Sequence, residues 1–129
     1  MTVEKALTRV SFPASADLST KQFYLVNLAS DGEVQLATSG AQVVGVLQDK
    51  PTAVGRAAVV AIQGISKVYA QGAITLGNAL IASTVGTAIA ASTGGTAFIF
   101  GRALESLSTA ESPAYISVSL TFEGPTSTA

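Results

Sequence analysis

Residues 116–122 constrain the fold more than any other stretch of this chain. Ile116, Val118, Leu120 and Phe122 alternate with Ser117, Ser119 and Thr121. A strict period of two sends every apolar side chain to one face and every hydroxyl to the other, the pattern of a half-buried β-strand. A helix would scatter the same residues around its circumference. Gly124-Pro125 ends the run, and a polar tail closes the chain over residues 125–129.

Strand signals continue upstream. Residues 22–28 (QFYLVNL) are rich in aromatic and branched side chains, and Asp31-Gly32 follows as a hairpin-type turn into residues 33–37 (EVQLA). Residues 43–47 (VVGVL) read as a buried strand, with Gly45 at a bulge or a close backbone approach. Residues 48–55 (QDKPTAVG) form a loop. Residues 57–63 (AAVVAIQ) and 65–70 (ISKVYA) read as two strands separated by Gly64, the first apolar on both faces. Short strands are expected at 74–76, 79–82, 87–91 and 98–103, with a turn at Thr93-Gly94-Gly95. Residues 105–113 are a loop or one short helical turn. Eight to ten short strands and little or no helix make an all-β fold, a small β-barrel or sandwich.

The chain of 129 residues suits one domain. Residues 1–20 stand apart as an N-terminal arm before a single β domain over residues 21–124. Val3, Leu7, Val10 and Phe12 recur there every two to four residues among Glu4, Lys5, Arg9 and Asp17. Two readings remain open: an arm that docks on a neighbour, or a short helix or strand folded onto its own domain.

Composition excludes much chemistry. The chain has no His and no Cys, which removes Ser–His and Cys–His nucleophile pairs, thiolate or imidazole metal sites, and disulfides. Seven basic residues and a net charge of −1 leave no electrostatic footprint for nucleic acid or an anionic membrane. The start, Met1-Thr2-Val3-Glu4-Lys5, lacks a signal-peptide pattern, so the protein is expected to be made and kept in a cytoplasm, or assembled there into something larger. Charged residues are only 12% of the chain against about 25% in an average domain, so subunit contacts should cover part of the surface.

No constellation suggests catalysis. Asp31 and Glu33 flank a turn, where carboxylates are normally solvated, and a Ca²⁺ site would need several more oxygens. Ser66 and Lys67 are adjacent on a strand and point to opposite faces, so they cannot form a dyad. Arg102 is expected to pair with Glu105 or with a carboxylate across a subunit boundary. The aromatics are spread one or two per strand, as core and interface packing would spread them, with no basic groove for stacking bases. No enzyme activity, cofactor or metal is expected.

Three stretches carry a resemblance. VGVLQDKPTAVGRAAVVAIQGISKVYA (44–70), LGNALIAS (76–83) and FIFGRALESLSTAESPAYISVSL (98–120) resemble the small head decoration, or capsid cement, proteins of tailed bacteriophages. The matching positions are Gly45-Val46-Leu47-Gln48, Lys50-Pro51, Gly64, Ser66-Lys67-Val68 and Gly101-Arg102-Ala103-Leu104-Glu105. The resemblance covers roughly residues 40–122, and its specificity lies in the order and spacing of short pieces. It implies a non-enzymatic homotrimer on the outer surface of the virion head. Such a trimer sits at three-fold and quasi-three-fold positions and bridges capsomers of the major capsid protein. On that reading Val3, Leu7, Val10 and Phe12 are the expected capsid-docking residues, and Val59, Ala61, Tyr69 and Arg102 the expected trimer contacts. Rival readings are a virion-displayed module for a host-surface glycan, a tail or baseplate trimer, and a small ligand-binding barrel.

Overall fold

The structure, a computed structural model, describes residues 5–29, 32–91 and 97–125. Among them are β1 (Lys5–Pro13), β2 (Leu25–Leu28), β3 (Val34–Leu36), β4 (Gly45–Leu47), β5 (Ala57–Ala70), β6 (Ala79–Ala82), β7 (Ala88–Ala90), β8 (Phe98–Ala103) and β9 (Ala114–Pro125). One 3₁₀ turn, Thr109–Glu111, precedes β9. The protein is an all-β barrel with additional strands.

Five strands close a ring. β5 pairs with β9, β9 with β8, β8 with β6, and β6 with β7, all antiparallel. The parallel pair Ala70↔Ala88 then joins β7 back to β5. Closure of this kind removes sheet edges within the ring. Outside it, β4 pairs with β5, β2 with β4, and β3 with β2, while β1 pairs with β5 over Lys5–Pro13.

β5 is therefore the spine, and it is one strand of 14 residues where the sequence suggested two. Gly64 does not end it. The glycine takes φ 107°, and the alternation changes sense across it. Odd-numbered Ala61 precedes it in the larger core cluster, and even-numbered Val68 and Ala70 follow it there. The strand also bends. Gln48 donates its backbone N–H to Val59 O at 2.8 Å and its side-chain amide to Ser66 Oγ at 3.0 Å. In a straight strand those two positions would lie about 23 Å apart.

Two core clusters result. The larger holds Leu25, Leu80, Phe100, Ile116, Val118 and Leu120 with several alanines. The smaller holds Leu18, Val26, Val34, Leu47 and Val60, with Phe12 packed against it. Ile116, Val118 and Leu120 are buried and Thr121 is exposed, as the alternation of β9 requires, although Ser117 is buried too. Its N–H donates to the Glu105 carboxylate at 2.8 Å.

Gly45 and Gly101 mark close backbone approaches. A Cβ on Gly45 would fall on the carbonyl oxygen of Ala61. One on Gly101 would lie 2.5 Å from Ser119 O and 2.7 Å from Val118 Cγ1.

Strand ends differ from expectation at residues 21–24. Lys21 O accepts the N–H of Tyr24 at 3.0 Å, which makes a turn, and Phe23 within it has φ 70°. The strand begins only at Leu25. The expected turns at Asp31 and at Thr93-Gly94-Gly95, and residues 126–129 of the polar tail, lie outside the described residues.

Candidate functional site

The expected docking and trimer residues do not gather on one surface. Val3 is outside the described residues, and Leu7 lies in β1 with its side chain outside them. Val10 is 38% exposed. Phe12 is half-buried against the smaller core cluster. Register brings some of these together, since Val10 pairs with Val60, Ser11 with Val59 and Arg9 with Ala61. Val59 is half-buried and donates its N–H to Asp49 Oδ1 at 3.1 Å. Ala61 is fully buried in the chain's own core, so its side chain offers no surface to a neighbour.

The β1 ribbon has an unusual exposure pattern. Thr8, Arg9, Val10 and Ser11 are all exposed, so neither face of the strand is covered there. Among the described residues β1 pairs with β5 alone. The other long edge of β1 therefore carries backbone donors and acceptors without a strand partner.

Arg102 lies elsewhere, on β8. Its Nε and Nη2 donate to Glu123 Oε2 and Oε1 at 2.8 and 2.7 Å. The partner is Glu123 of β9, not Glu105, whose carboxylate is held by Ser117 instead. This bidentate pair holds the Glu123 carboxyl below its ordinary value, with burial opposing it and Thr121 assisting.

Tyr69 belongs to a cluster the sequence did not reveal. It faces Tyr115 across β5 and β9, with ring centroids 4.9 Å apart, and stacks on Tyr24 at 5.2 Å. Phe23 meets Tyr115 edge-on at 5.7 Å. Lys21 Nζ lies 4.9 Å from the Tyr24 ring centre, and Lys67 Nζ lies 4.9 Å from that of Phe23. Burial raises the Tyr24 phenol above its ordinary pKa, and the neighbouring Tyr69 and Tyr115 add to the effect. Beside the cluster is a hollow of about 330 Å³ lined by Ser19, Thr20, Gln22, Lys50 and Tyr115.

Four of the eight aromatic residues thus converge, although the sequence spreads them over three segments. One signal was available. Tyr115 precedes Ile116 and Tyr69 follows Val68, so alternation sends both rings away from the core. The turn that delivers Phe23 and Tyr24 to the same place has no such signal.

No protein-family model matches this sequence, and no curated protein does. A search of solved structures finds the head fiber gp8.5 N base of bacteriophage phi29, with a TM-score of 0.66 and 18% identity. The match covers 92% of this chain and 98% of that one. What the two share is the fold, along nearly their whole lengths.

Proposed function

We propose that this chain is a non-enzymatic structural protein of a phage head. In this reading it is a decoration protein that binds the major capsid protein on the outer surface as a homotrimer. It occupies three-fold and quasi-three-fold positions and bridges neighbouring capsomers. The observation that carries the reading is the fold shared with the phi29 head fiber base over 98% of that chain. The decoration-protein motifs in residues 44–70 and 98–120 supply the finer part.

The β1 ribbon supplies a means of attachment. A free strand edge invites pairing with another chain, and proteins normally blunt or cover such edges. Thr8–Ser11, exposed on both faces beside an open edge, suit the addition of a capsid-protein strand. Val10 supplies apolar area. Three such ribbons in one trimer act together, because once one engages the others bind intramolecularly. Avidity can then exceed the single-site affinity by about 10²–10⁴. Outward pressure from packaged DNA is resisted where capsomers join.

Attachment through backbone pairing and apolar contact depends little on screening. Co-sedimentation with undecorated heads tests this between about 0.1 and 1 M salt, where the Debye length falls from about 10 to about 3 Å. The protein should pellet with heads at both concentrations. Failure to pellet at low salt contradicts the proposal, and release at high salt contradicts the contact chemistry.

A further inference from the structure

We infer that the aromatic cluster and its adjoining hollow form a binding site for an acidic polysaccharide, one whose sugar rings carry carboxylates. This goes beyond head attachment and does not depend on it.

The charge argument comes first. Lys21, Lys50 and Lys67 are three of the four lysines in the chain, and all three border this one patch. No carboxylate pairs with any of them among the described residues, whereas Arg102 is fully paired. The nearest carboxylates in sequence are held by backbone amides instead, Asp17 by Ser19 at 2.9 Å and Asp49 by Val59 at 3.1 Å. In a chain of net charge −1, an unpaired cationic cluster fits an acidic ligand.

The shape and lining favour a sugar over a peptide. The hollow is walled by hydroxyl, amide and ammonium groups from Ser19, Thr20, Gln22 and Lys50, with Tyr115 as its one ring. It has no aliphatic recess to seat the apolar side chains of a peptide. Tyr115 is 47% exposed, so part of its ring is open to the C–H face of a pyranose. The Phe23 and Tyr24 rings instead carry the two lysine ammoniums. A ring for stacking, polar groups for hydroxyls and cations for a carboxylate are the convergent set such a ligand needs.

The backbone adds a second line of support. Phe23 holds φ 70°, a left-handed conformation in which the Cβ of a bulky L-residue crowds the following carbonyl oxygen. Glycine or asparagine ordinarily occupies such a position. A phenylalanine kept there directs its ring against Tyr115 and beneath Lys67. Strain of this kind concentrates where a ligand is gripped.

The test uses intrinsic fluorescence. The chain has three tyrosines, all in the cluster, and no tryptophan, so emission reports this patch alone. Full-length protein is titrated with tetragalacturonate, with neutral maltotetraose and with hexaglutamate. A saturable change is expected with tetragalacturonate, and binding at least about tenfold weaker with each of the other two. Lys50→Ala should weaken tetragalacturonate binding by about tenfold or more, and Arg56→Ala should leave it unchanged. Lys50 is exposed, so this variant keeps the fold, and an unchanged thermal transition verifies that. The absence of a saturable change, or an undiminished response in Lys50→Ala, overturns the site. Equal binding of hexaglutamate overturns its assignment to a saccharide and points to an acidic peptide.

Discussion

Tyr69 of β5 and Tyr115 of β9 are register partners whose rings sit 4.9 Å apart and tilted by 52°. Such a pair is worth about 0.5–1.5 kcal/mol beyond its buried area. A double-mutant cycle on Tyr69→Leu and Tyr115→Leu, read by urea unfolding, should return a coupling of that size. Tyr69→Leu alone should cost more than Tyr115→Leu, because Tyr69 is half-buried whereas Tyr115 is 47% exposed. Additive single effects would mean that the rings do not interact.

Gly45 and Gly101 lie in strands without left-handed φ, so space alone decides what they tolerate. Gly45→Ala forces a methyl onto the Ala61 carbonyl and should cost about 1–3 kcal/mol by overpacking. Gly101→Ala meets Ser119 O and Val118 in the same way and should cost a similar amount. Chemical denaturation measures both. Neutral substitutions would show that β4 and β8 can move away from their neighbours.

Glu123 titrates lower in the fold than its ordinary value of 4.5, first because of Arg102. Its contribution is therefore complete above that value and is lost as pH falls through the lowered one. Arg102→Gln should flatten the pH dependence of the unfolding midpoint below about pH 4.5 and leave the slope near neutrality unchanged. Both side chains are substantially exposed, so the effect is small and should shrink with salt. An unaltered acid limb in the variant would show that the pair carries no linkage.

Val10→Asp separates attachment from folding. Val10 is exposed on β1, and exposed substitutions of this kind stay within about 0.5 kcal/mol. The variant should keep its thermal transition and lose at least about tenfold in head binding, since a charge would be desolvated in the contact. Unchanged head binding would remove β1 from the interface. Deleting residues 2–20 would be a poorer test, because Ala14 and Leu18 belong to the smaller core cluster.

The parts of the fold legible in the sequence are those fixed by local physics. Alternation in residues 116–122 specifies β9, and a glycine among branched residues at Gly45 marks a close approach. Gly64 reads as a break because glycine ordinarily punctuates strands. Here it carries a left-handed residue within a continuous strand, and only the partners on either side make that visible. Ring closure rests on the single pair Ala70↔Ala88, and nothing in a run of alanines announces it.

The candidate surfaces divide in the same way. That Arg102 would find a carboxylate was legible, but not that it would be Glu123, since cross-strand register is a property of the pairing. Exposure of Val10 follows from a strand whose residues 8–11 lie along β5 with neither face covered. The aromatic cluster needs a turn with Phe23 at φ 70°, a conformation no propensity assigns to phenylalanine.

The most direct test of the proposed function is an electron cryo-microscopy reconstruction of undecorated phage heads after incubation with the purified protein. If the proposed function holds, added trimeric density is expected on the outer shell at three-fold and quasi-three-fold positions, with β1 against the major capsid protein. A shell without added density, or density confined to the tail vertex, contradicts it.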